Sequence, residues 1–96
     1  MWKDVIDLIS ITFTQNDLGD DIESKTYSQV FVNKKDVRQS EYYQAMNNGL
    51  EPEYMFEVRS IDYSNQERVR YNTKEYDVIR TYDKGEITEL TVQGVV

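Results

Sequence analysis

Cysteine and histidine are both missing from this chain. Without cysteine there is no disulfide framework, no thiolate metal site and no thiol nucleophile. Without histidine the usual general base, the commonest metal ligand and the usual switch near neutral pH disappear together. Asp, Glu, Lys, Tyr and Ser are left as the chemical repertoire, which weighs against an enzyme. Proline occurs once and glycine four times, against eight tyrosines, a balance expected of an ordered domain rather than a disordered tail. There is no run of 18 apolar residues, so no membrane-spanning helix is expected. Lys3 is followed at once by Asp4 and Asp7, unlike the basic-then-apolar order of a secretory signal, and the cytoplasm of the producing cell is the expected site.

What is present is acidic and compact in length. The 96 residues suffice for one domain, 1–96, burying roughly 60–65 % of the unfolded surface. Stability at this size is modest, and subunits of this kind commonly gain more by association. Eighteen acidic against eleven basic residues give a net charge of −7. Duplex DNA is held chiefly by clustered Lys and Arg, so tight DNA binding is not expected. An acidic wall does suit a passage through which DNA slides without sticking.

Along the chain, Trp2, Val5, Ile6 and Ile9 stand at helical spacing, and Ile9, Ile11 and Phe13 alternate with polar residues. This predicts a short helical or irregular lead-in and a first strand over about 7–14. The polar stretch 15–25, with its glycine, reads as a loop. Residues 26–37 read as a second strand, with Val30 and Val32 on one face and Tyr27 and Phe31 on the other. In 40–48 the period changes: Ser40 suits an N-cap, Glu41 the first turn, and Asn48-Gly49 a stop, predicting one short helix. The remainder reads as strands. Tyr54, Phe56 and Val58 alternate with polar neighbours; Val69 and Tyr71 share a face; Tyr76, Val78 and Tyr82 share another; Leu90 and Val92 point inward, with Glu89, Thr91 and Gln93 outward. Asn72–Lys74 and Asp83-Lys84-Gly85 read as tight turns. About six short strands and one helix predict a mainly β fold, a small antiparallel barrel or sandwich, with closure removing the aggregation-prone edges.

Sites for chemistry are sparse. Asp17, Asp20, Asp21 and Glu23 form the densest carboxylate cluster, but their spacing does not match a calcium loop, and a solvated loop is the simpler reading. Glu57 and Glu75 are paired carboxylates on paper, yet both fall at positions assigned to outward faces, whereas glycoside hydrolysis needs one acid in an apolar pocket. The glycines are isolated, so no phosphate-cradling loop is formed. No catalytic, cofactor-binding or metal-binding residue is assigned. Strand tyrosines fit barrel wall or core, but adjacent Tyr42 and Tyr43 on a short helix must point to different faces and cannot both pack on one small core.

The block from 38 to 93 resembles the head–tail joining (head-closure) proteins of tailed phages and prophages. Ser40, Glu41, Tyr43, Ala45 and Gly49 fill the helix motif of that family; Asp62 and Tyr63 end an extended strand; Val69, Tyr71, Tyr76, Ile79, Arg80 and Thr81 follow in order. The C-terminus departs from the pattern, ending in Gly94-Val95-Val96 rather than in an acidic or cysteine-bearing tail. The resemblance implies a virion component assembled in the bacterial cytoplasm. It would form a ring beneath the portal and its adaptor, close the DNA channel and present a surface to the tail. An adaptor or tail-completion ring subunit of the same particle is the nearest alternative, and an acidic binding module or carboxylate enzyme a distant one.

A cyclic ring needs two different patches on each subunit. Tyr42, Tyr43 and Met46 are the expected subunit contacts on one side, and the Trp2 region on the other. The segment 33–53 is expected to be the adaptable contact element, and the isolated chain to be a monomer.

Overall fold

The structure is a computed structural model describing residues 2–95. Six strands, β1 (Asp4–Gln15), β2 (Asp21–Lys35), β3 (Tyr54–Arg59), β4 (Arg68–Tyr71), β5 (Lys74–Asp83) and β6 (Ile87–Gly94), close into an antiparallel barrel in the order β1-β2-β3-β6-β5-β4. One helix, α1 (Gln39–Asn47), lies between β2 and β3, and a single 3-10 turn (Ser60–Asp62) follows β3. The expected mainly β barrel with one short helix is what the chain forms.

Alternation fills the interior. Ile6 and Leu8 of β1, Val32 of β2, Phe56 and Val58 of β3, Val69 of β4, Tyr76 of β5 and Leu90 and Val92 of β6 form one buried cluster. A barrel this narrow is filled by its own side chains rather than holding a channel. The turns follow their residue types. Gly85 takes φ +99 in the β5–β6 connection, with its N–H donating to the Asp83 carboxylate at 2.7 Å. Asn72 and Thr73 both take positive φ, +50 and +65, in a two-residue β4–β5 hairpin, a conformation matched to strand twist.

Several expectations need correction. There is no helical lead-in: β1 begins at Asp4. Burial of the consecutive residues Leu8, inside the barrel, and Ile9, beside the loop 64–67, imitates helical spacing. The loop expected over 15–25 shrinks to 16–20, where the Asn16 side chain accepts N–H bonds from Leu18 and Asp20. Beyond it β2 starts at Asp21, so β1 and β2 form one long hairpin with unbroken register from Asp4↔Val32 to Gln15↔Asp21. The helix starts one residue before Ser40; Arg38 is the N-cap residue and makes no side-chain capping bond. Its stop is as expected, at Asn48 with Gly49 at φ +77.

Tyr82 is 53 % exposed and not on the face of Tyr76 and Val78, because a bulge between Val78 and Arg80 reverses the alternation. Glu57, Glu89 and Thr91 do point away from the barrel interior but are buried. The chain between β2 and β3 lies over this outer face. Pro52 is buried, the Glu53 N–H donates to the Val92 carbonyl, and the Glu51 N–H donates to the Gln93 side chain.

Candidate functional site

The candidate surfaces lie outside the barrel. On α1, Ala45 and the following Leu50 face Ile79 and Thr91 on the outer wall of β5 and β6. This leaves Tyr42, Tyr43 and Met46 exposed at 39, 58 and 48 %, with the two tyrosine rings edge-on at 6.1 Å. The structure thus brings these three expected contact residues onto one solvent-facing helix. Trp2 is placed elsewhere. Its ring lies under the Arg59 guanidinium at 5.3 Å, in a groove also lined by Ile61 and Ile87. Asp62 and Tyr63 do not end an extended strand as expected: β3 stops at Arg59, Asp62 closes the 3-10 turn, and Tyr63 after it packs on the core and donates its hydroxyl to the Gln66 carbonyl at 2.8 Å. Burial pushes the Tyr63 phenol above its ordinary pKa.

A charge cluster fastens the β2–β3 connection to the barrel. Glu89 stands opposite Glu57 across the β3–β6 ladder. Arg38 donates to both Glu89 carboxylate oxygens, at 2.9 and 3.4 Å, and Lys84 reaches the same carboxylate at 3.0 Å. Lys84 also approaches Glu57 at 3.6 Å, and Lys35 does so at 3.2 Å. The Arg38 hydrogen bond, reinforced by Lys84, holds the Glu89 carboxyl below its ordinary pKa against the opposing effect of burial. The same contact raises the Lys84 ammonium. With both carboxylates held by cations, this pair is arranged to anchor a loop; neither acid sits in an apolar pocket of the kind acid catalysis needs.

At one mouth of the barrel Tyr54, Tyr71 and Tyr76 pack ring against ring, with Tyr54 at 5.8 Å from Tyr71 and 5.5 Å from Tyr76. The Lys34 ammonium lies over the Tyr54 ring and that of Lys74 over Tyr76. Burial raises the Tyr76 phenol pKa. Most strand tyrosines therefore serve as barrel filling, as their alternation implied.

The feature missed in the sequence is the β1–β2 arm. Among the described residues, β1 pairs with β4 only over Asp7 to Ile9, and β2 with β3 only over Val32 to Lys35. Residues 10–15 and 21–26 pair with each other alone and project from the barrel as a two-stranded ribbon, while 27–31 pair with Val5–Ile9 at the barrel and lack a partner only on their outer edge. This extends the molecule to 49 Å and its radius of gyration to 14.7 Å, where about 12.5 Å is usual at this length. The signal was in the alternation Ile9, Ile11, Phe13 and its counterpart Tyr27, Phe31, which flank a short Asn-Asp-Leu-Gly turn.

Among the described residues no group of three or more Asp and Glu side chains is placed to hold a metal ion. Asp17 and Asp20 lie in the arm's turn, and Asp21 and Glu23 at the start of β2. Among the described residues no helix is long and apolar enough to cross a membrane. Comparison with protein-family models finds no match, and comparison with curated proteins finds none.

Proposed function

We propose that this chain is a non-enzymatic ring subunit of a tailed phage or prophage particle, placed at the junction of head and tail. There it would help close the DNA channel and offer the tail a surface. The observation that carries this reading is the pairing of a rigid closed barrel with projecting elements of different kinds. The β1–β2 hairpin displays Phe13 on its projecting arm and Phe31 at its base, and α1 displays Tyr42, Tyr43 and Met46. Head-to-tail rings require such unlike patches on each copy. The ordered motif from Ser40 to Thr81 supports the particular junction, and the net charge of −7 suits a wall past which DNA moves freely.

Disruption of the gene in the producing strain tests the reading. The expected outcome is DNA-filled heads and complete tails that remain separate in electron micrographs, with joining restored by the gene in trans. Normal joined particles would sink it. An adaptor or tail-completion subunit differs in axial position, which the density of the assembled particle resolves.

A further inference from the structure

We infer that the β1–β2 arms of neighbouring copies of this chain pair edge to edge, β2 of one copy adding to β1 of the next, so that the ring proposed above is laced by one continuous intermolecular sheet. Both flanks of the arm carry unpaired backbone groups: residues 10–15 on one side and 21–31 on the other have no third strand among the described residues. Natural edge strands are usually blunted by proline, bulges, short length or lysines. Here the register is unbroken along all of β1, there is no proline, and the single lysine, Lys25, is drawn to Glu23 and Glu75. A two-stranded ribbon alone is also barely stable in water.

The side chains tell the same story. Within the barrel the inward face of the hairpin is apolar, with Ile6, Leu8, Val30 and Val32. Farther out along the hairpin that same face turns mostly to hydroxyls, Ser10, Thr12 and Thr14 on β1 and Ser24, Thr26 and Ser28 on β2, with exposed Ile22 near the tip. The opposite face carries the exposed rings, Phe13 67 % exposed, Phe31 62 % and Tyr27 44 %, interleaved with Glu23, Lys25 and Gln29. Phe13 and Phe31 stand open to water, while the Tyr27 ring lies under the Arg70 guanidinium at 4.7 Å.

The occupant that fits is a second copy. The two free edges belong to antiparallel strands of one hairpin. When copies are related by rotation about an axis parallel to the arm, the descending β2 of one meets the ascending β1 of the next. The new pair is antiparallel, like those within the chain. Every added strand keeps its hydroxyls on one side and its rings on the other, where cross-strand Ser/Thr and aromatic pairs stabilise the ladder. The carboxylates of Asp17, Asp20 and Asp21 at each tip then crowd together. Their repulsion keeps free copies apart at low salt, and screening relieves it.

The chain has no cysteine, so introduced thiols report without background. Thr12→Cys is mixed in turn with Ser24→Cys, Thr26→Cys and Ser28→Cys, all exposed sites, and oxidised in concentrated solution and in purified particles. The expected result is a disulfide dimer in at least one mixture, several-fold more abundant in 0.5 M than in 0.05 M salt, with little dimer from any variant alone. Dimers mainly from single variants would mean like edges pair, and overturn the head-to-tail arrangement. No disulfide in either setting overturns arm pairing altogether, leaving the arm to a different protein. The ring reading is judged separately: a chain present in particles without arm disulfides refutes only this inference. Disulfides in solution with the chain missing from particles refute only the ring reading.

Discussion

Glu57 and Glu89 face each other directly across β3 and β6 on the outer wall of the barrel, 8 % and 2 % exposed, with the Lys84 ammonium between them at 3.6 and 3.0 Å. Like charges opposite one another on a ladder repel, and burial magnifies the effect. Lys84 bridges the two carboxylates, with Lys35 on Glu57 and Arg38 on Glu89 sharing the compensation. Lys84→Met is expected to lower the urea midpoint, and Glu57→Gln added to it to recover part of the loss. A double-mutant cycle with purely additive effects would show that Lys84 and Glu57 do not sense each other.

The same cluster sets the pH range of stability. The folded Glu89 carboxyl lies below its unfolded value, so its contribution is complete above the ordinary carboxylate range and is lost as pH falls through the lowered folded value. The folded Lys84 ammonium lies above its unfolded value, so its contribution is complete below the ordinary lysine range and is lost as pH rises through the raised folded value. Between the ordinary carboxylate range and the ordinary lysine range the contributions of Glu89 and Lys84 are both complete and flat. Thermal melts across pH should therefore show an acid limb that Glu89→Gln reduces; an unchanged acid limb would assign it to other carboxylates.

Arg38 links the cluster to α1. The helix has nine residues, no side-chain cap at its start and a largely exposed surface, and helices this short do not hold themselves in water. The two hydrogen bonds from Arg38 to buried Glu89 tie its first turn to the barrel. Arg38→Met is expected to cost about 2 kcal/mol, the usual loss for a hydrogen bond to a charged group. It should abolish amide exchange protection over 39–47 while barrel amides such as those of Phe56 and Leu90 stay protected. Uniform loss across both regions would mean that helix and barrel open as one unit.

The barrel was legible because its signals are local. Alternation at Tyr54–Phe56–Val58 and Leu90–Val92, and turn chemistry at Asn72 and Gly85, specify strands and hairpins wherever the chain goes. Of the arm, the β1 side was legible in the alternation Ile9, Ile11, Phe13, but the start of β2 was not, because it has no core to alternate against. Around Asp20 to Lys25 only Ile22 is apolar, and the pairing depends on β1 across the turn. Burial of Glu57 and Glu89 was hidden for another reason. Their positions do point outward, as alternation demands, and only the path of 36–53 over that face covers them. Tyr82 was misplaced by a single bulge, which one residue of insertion produces without a compositional mark. For the expected contact set, helical spacing sufficed to place Tyr42, Tyr43 and Met46 together, whereas nothing in it located Trp2 beside Arg59.

Thr73 offers a test of the β4–β5 turn. It is a β-branched residue at φ +65, where its side chain crowds the backbone and glycine is the favoured occupant. Thr73→Gly should create an Asn-Gly turn and stabilise the protein by about 1 kcal/mol, read as a higher denaturant midpoint with unchanged slope. A lower midpoint would indicate that the Thr73 side chain makes contacts worth more than the strain.

Tyr42 and Tyr43 separate assembly from folding. Both rings are open to solvent, and neither belongs to the buried cluster, so Tyr42→Ala with Tyr43→Ala should change stability by no more than about 1 kcal/mol. If α1 is a contact element, the same pair of substitutions removes the aromatic anchors that dominate protein interfaces. Particles grown with the double variant as the sole copy should then lack the chain and fail to join heads to tails, although the purified variant melts as the wild type does. Normal incorporation of a stable double variant would take α1 out of the interface and leave the arm as the element that carries it.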